Sequence, residues 1–277
     1  MNCKSAASLN LNLVGPTAQT LRDIYGYTSL YSLFVEKATQ LRWDTRVQGP
    51  PFDPFEYANR LGIAVEERDD MGLDGMLECD DEGRFVIRLK QDASKERKNF
   101  TLAHEIAHTF FYDVLTHPKS YRGHKDFDPE EERLCDIGAS ELLMPSSVFK
   151  QDLFSEDEIT PVTLFRLAKQ YQVSFKAAAI KVFGVTNCFA CVVWKKRGSA
   201  IDVEWVCPSR IKRLTLCQTG RSSVETALLN PRTVFTKSDS FYGVKERGRV
   251  VRTVSSMGLN KTKAISLITM KQNHAHR

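Results

Sequence analysis

No apolar run in the 277-residue chain approaches 18 residues, so nothing in it reads as a membrane-spanning helix. An ordinary secretion signal is also missing, because the short tract from Leu9 to Val14 is broken by asparagines and preceded by a single lysine. The expectation is a cytoplasmic protein without a membrane partner. Seven irregularly spaced cysteines in so long a chain do not make a disulfide scaffold. Cys188 and Cys191 form one C-x-x-C, with Cys207 and Cys217 downstream. Because Cys188 to Trp194 reads as a strand, residues three apart would face opposite sides, which argues against a second metal site. Internal repeats are absent as well.

What is present is an ordinary globular composition, 42% hydrophobic and 26% charged, over a length that usually divides into two domains. The charge is unevenly placed. From Lys181 to Arg277, 18 Lys/Arg stand against 5 Asp/Glu, a balance of +13, whereas the residues before it carry −8. Two units with different surface roles are therefore expected, the basic one suited to an acidic protein, to direct nucleic-acid contact, or simply to complementing the acidic first domain.

Hydrophobic spacing predicts a helix through Leu30, Leu33, Phe34, Ala38 and Leu41, and a short one capped by Asp53 and opened by Pro54. Strands are expected at 63–66 and 85–89, separated by an acidic, turn-rich stretch. A helix then runs from Ser94 or Lys98 to Tyr112, with Phe100, Leu102, Ala103, Ile106, Ala107 and Phe110 on its buried side. A polar loop with His117, His124, Asp126 and Asp128 follows. Further helices are expected over 129–143, 161–171 and 175–183, and strands at 190–194 and 201–206. The last two helices have the spacing of a helix-turn-helix, but the favoured reading is a helical hairpin that completes the catalytic domain, because the pattern is common in ordinary helical packing.

The third of these helices carries the chemistry. His104 and His108 leave one face at i,i+4, and Glu105 lies beside the open position of any metal they hold, as a candidate general base. Two imidazoles suit zinc, but a catalytic zinc takes a third protein ligand. The H-E-x-x-H-x-x-G-x-x-H extension fails, since positions 111 and 114 are Phe and Val, so a downstream carboxylate is needed. Glu132 and Asp136 form a same-face pair at the start of the next helix. Glu132 is the candidate third ligand, and Asp136 the acceptor for a ligand histidine's other ring proton. The arrangement resembles that of the glutamate-zincins.

The blocks from Arg97 through Phe100-Thr101-Leu102-Ala103-His104-Glu105-Ile106-Ala107-His108, and from Glu132 through Cys135-Asp136 to Leu142-Leu143-Met144-Pro145, resemble the ImmA/IrrE metallopeptidases over about 53–183. The resemblance implies an α+β, zincin-like peptidase domain with Zn2+ held by His104, His108 and Glu132, and Glu105 as the catalytic glutamate. Asp136 stands where that family often has asparagine. It also implies a helix-turn-helix repressor as substrate, cleaved to release stress-response or mobile-element genes. The expected organisation is an N-terminal extension and helix (1–50), a metallopeptidase core (51–150), a helical hairpin (151–185) and a basic C-terminal mixed α/β domain (186–277). The last matches a GAF-like sensory appendage in placement and length. The competing expectation is a zinc-containing DNA- or protein-binding module without peptidase activity. The strand at 85–89 is a candidate to bind a peptide substrate through an unpaired edge, the favoured alternative being an ordinary sheet strand without substrate contact, and Tyr112, His117 and His124 are the candidate oxyanion donors.

Overall fold

In the computed structural model, residues 29–80, 82, 84–111, 129–186, 189–207, 214–216, 223–243 and 249–269 are described. They form two compact units. One is built on residues up to Phe149 together with Lys169–Ser174, the other on Lys150–Ala168 and the residues from Phe175 onward. The first is an α+β domain and the second a mixed α/β region.

Local sequence signals open the first unit. Helix α1 (Leu30–Thr45) buries Leu30, Leu33, Phe34, Ala38 and Leu41, and Ser29 caps its start. Helix α2 (Pro54–Arg60) begins where the Asp53 side chain accepts the Phe55 amide at 2.9 Å. Three strands follow: β1 (Ala64–Arg68), β2 (Gly75–Cys79) and β3 (Phe85–Lys90), in spatial order β1-β3-β2. β1 runs parallel to β3, and β2 runs antiparallel to it. Phe85, Ile87 and Leu89 alternate inward along β3, and Leu77 of β2 lies opposite Ile87 in the core.

Two expectations need correction here. The stretch read as turn-rich contains β2, whose Gly, Glu and Cys hide a strand from propensity. β3 is the central strand, hydrogen-bonded on both sides, so it has no unpaired edge for a peptide. β2 is the edge strand on one side, with no further strand partner among the described residues.

Helix α3 (Lys95–His108) is capped by Ser94 and tightens into a 3-10 turn at Thr109–Phe111. Phe100 is only half-buried, and Asn99 takes the buried place beside it, its Nδ2 donating to the Gln172 carbonyl at 3.2 Å. Helix α4 (Pro129–Leu143) packs on α3 and α1. Its approach depends on Gly138, where a Cβ would fall 2.7 Å from Ala107 Cβ and 3.2 Å from Phe34 Cδ1. Helix α5 (Ser146–Leu153), which periodicity did not reveal, starts immediately after Pro145 because the buried Glu141 carboxylate accepts the Ser146 amide at 3.0 Å. Helices α6 (Pro161–Tyr171) and α7 (Phe175–Thr186) are separated by a turn in which Gln172 adopts a φ of 52°.

Beyond α7 come β4 (Phe189–Arg197), β5 (Ala200–Cys207), β6 (Leu214–Leu216), helix α8 (Ser223–Leu229), β7 (Val234–Gly243), β8 (Arg249–Gly258) and β9 (Lys263–Thr269). They make one antiparallel sheet in the order β5-β4-β9-β8-β7-β6. One face buries Ala190, Val192, Trp194, Val254, Ala264 and Ile268 against Val224 and Leu228 of α8. A chain of hydroxyls runs through that core. Trp194 Nε1 donates to Ser266 Oγ at 2.8 Å, Ser266 meets Ser256 at 2.6 Å, and Ser256 meets Ser223 at 2.8 Å. Cys191 and Cys207 lie opposite one another in the β4–β5 register as free, buried thiols. Burial pushes the Cys207 thiol up to about 11. Cys3, Cys188 and Cys217 lie outside the described residues. Among those residues, no helix is long and apolar enough to cross a membrane.

Candidate metal centre

The sequence H-E-x-x-H sits in the last two turns of α3, where a strong N-cap and an apolar stripe fix the helix and so the direction of its polar face. His108 is 1% exposed and Glu105 6% exposed, burial that imidazole and carboxylate groups rarely accept without partners. The partners come from the first two turns of α4, brought close by the Gly138–Ala107 contact. His104 Nε2 lies 3.1 Å from Glu132 Oε2, and His108 Nε2 lies 3.7 Å from Glu132 Oε1. On the opposite ring edges, His104 Nδ1 meets Asp136 Oδ1 at 3.1 Å and His108 Nδ1 meets Glu131 Oε1 at 3.0 Å.

Each histidine therefore has one nitrogen against its own carboxylate and turns the other toward a shared one. Ligands bound to zinc at about 2.0–2.1 Å in a tetrahedron are separated by about 3.3 Å. The two Nε2–Glu132 separations bracket that value, so the residues present fit a zinc ion. Cys135 adds a third kind of donor. Its Sγ and the two histidine donors all lie within 4.8 Å of one another, a His/His/Cys cluster able to hold a metal. Burial raises its thiol well above the ordinary range, and the nearby Glu131, Glu132, Glu105 and Asp136 charges raise it further. Without a metal, burial thus favours the protonated thiol.

The comparisons with known proteins agree with this chemistry. Residues 58–183 match the model of the IrrE N-terminal-like domain. That domain belongs to the ImmA/IrrE metallopeptidase family. The radiation response metalloprotease IrrE of Deinococcus deserti is 34% identical over 102 residues, covering 35% of this chain and 36% of the relative. IrrE of Deinococcus radiodurans is 34% identical over 97 residues, covering 34% of this chain and 29% of the relative. The match thus spans about a third of the length of these curated relatives. A Mycobacterium tuberculosis transcriptional regulator shares the fold, with a TM-score of 0.52 at 13% identity over 92% of this chain and 79% of that one.

Within the ImmA/IrrE domain, burial alone works to depress the His104 imidazole. The Asp136 hydrogen bond and the charges of Glu105, Asp136 and Glu132 outweigh it and raise its proton affinity above that of an ordinary histidine. The crowding extends to β2. A Cβ on Gly75 would overlap Thr101 Cγ2 and lie 3.4 Å from Glu105 Oε1, so the edge strand passes directly over the candidate base. Sequence reasoning missed two members of this site, Glu131 and Cys135. Their signal was position alone, since both flank Glu132 within one turn of α4. Tyr112, His117 and His124, the sequence candidates for oxyanion donors, lie outside the described residues.

Proposed function

We propose that this protein is a zinc-dependent endopeptidase that cleaves a regulatory protein, with a helix-turn-helix repressor as the substrate class. The observation that carries the reading is the shared orientation of two imidazole Nε2 atoms toward Glu132, with the buried Glu105 on the same helix. His104, His108 and Glu132 hold the metal, and Asp136 orients His104. Zinc, when bound, supplies Lewis acidity that polarises the scissile carbonyl and acidifies water. Glu105 accepts the proton of the attacking water and returns it to the leaving amine. Its location under β2 suits an extended peptide laid along that free edge, where main-chain pairing binds many sequences and side chains select among them.

On this reading the first unit is a zincin-like catalytic domain acting in the cytoplasm, and the basic C-terminal region is a sensory, GAF-like appendage or an exosite for an acidic target. The experiment is co-expression with repressors encoded beside the gene. A repressor fragment should appear with the wild type and be absent with Glu105→Gln, which keeps the metal ligands. Intact cleavage by Glu105→Gln would sink the general-base role. The second reading, a nucleic-acid-binding module, draws on the +13 balance of the C-terminal residues. It would be favoured by tight duplex binding that weakens steeply with salt in a protein that takes up no zinc.

A further inference from the structure

We propose that Glu131 is the principal positioning residue of the metal site, outranking Asp136. The assignment rests on the metallopeptidase reading and adds to it a residue that the histidine motif does not point to. The two histidines are not equivalent. His108 is 1% exposed and its Nδ1 faces Glu131, whose side chain is 22% exposed; His104 is 14% exposed and its Nδ1 faces Asp136, which is 60% exposed.

A hydrogen bond to a carboxylate strengthens as water is excluded from it, so the Glu131–His108 bond is the stronger of the two. With the proton held on Nδ1 by Glu131, the His108 Nε2 lone pair is directed at the side where Glu132 lies, and turning the ring would break the Glu131 bond. Asp136 constrains His104 less, because water can replace much of what it does.

The test is the affinity of the full chain for Zn2+, read by competition with a chromophoric chelator, together with the visible spectrum of the Co2+-loaded protein. Glu131→Ala should weaken zinc binding about 10- to 100-fold and shift the cobalt bands, since outer partners of ligand histidines have effects of that size. Asp136→Ala should cost less than Glu131→Ala in the same titration. Glu131→Gln, whose amide oxygen still accepts from Nδ1, should recover most of the loss, whereas Glu131→Asp, one methylene short, should not. Glu131→Asp also carries the test if the alanine variant does not fold. Zinc binding by Glu131→Ala equal to wild type, or a larger loss in Asp136→Ala, overturns the assignment alone. A wild-type chain that takes up no zinc overturns the metallopeptidase reading and the assignment with it.

Discussion

The two units bury polar groups in opposite ways. Between α3 and α4 the network is built of ionisable groups: two histidines stand among the buried Glu105 and the partly exposed Glu131, Glu132 and Asp136. Under the C-terminal sheet the network is of neutral groups, an indole and three serine hydroxyls that satisfy one another. The hydroxyl chain needs nothing further, since every described link has a donor and an acceptor. Four carboxylates around two imidazoles outnumber them, a donor set suited to a cation. The difference teaches that a buried network announces a ligand when its charges do not cancel, and announces structure when its hydrogen bonds close.

Removing zinc should break this contrast most visibly. With free zinc at 1,000 times its dissociation constant, binding stabilises the fold by about 4 kcal/mol, so a chelator should lower the melting temperature of the α+β unit and spare the C-terminal one. The loss should grow from pH 6 to pH 8. His104 has a raised folded pKa, so its contribution to the metal-free protein is full below the unfolded value near 6.5 and fades as pH rises through the folded value. Calorimetry across that range checks both statements; a chelator effect that shrinks toward pH 8 would refute the second.

The next effects are smaller and local. Gly75→Ala should destabilise the α+β unit by about 1–3 kcal/mol through overpacking against Thr101, and Thr101→Ser, which deletes the offending methyl, should restore most of it. Denaturant unfolding of the single and double variants decides this. Ser256→Ala strips the middle of the hydroxyl chain and should cost about 1–3 kcal/mol without changing zinc content. Zinc loss in that variant would erase the distinction between the units. Last, Asp74→Asn removes an exposed partner of Arg97 and should cost less than about 1 kcal/mol, an effect that vanishes in high salt.

Much of the α+β unit is legible in the sequence. Asp53, Ser94 and Pro129 mark helix starts because capping is local chemistry, and the apolar spacing of α1 survives folding unchanged while that of α3 shifts only at Phe100, whose buried place goes to Asn99. β2 is hidden because it is a strand by pairing with β3 rather than by composition. For the same reason β3 passes for an edge: pairing on its second side comes from a strand no propensity detects. His104, His108, Glu105, Glu132 and Asp136 are visible as spacing on two helices. Glu131 is not, because adjacent residues on a helix point about 100° apart, and only the placement of α3 shows that one of them reaches His108 Nδ1 while the other faces the Nε2 atoms.

Glu132 lies about two dozen residues beyond His108 in the chain. An ion held by both therefore does to the unfolded polypeptide what a covalent bridge of that span would do, removing about 3–4 kcal/mol of its freedom on a simple loop-closure estimate. Unlike a bridge between cysteines, this staple forms in a reducing environment and comes out with a chelator. Held as proposed by His104, His108 and Glu132, such an ion would make the domain's cohesion follow the supply of metal.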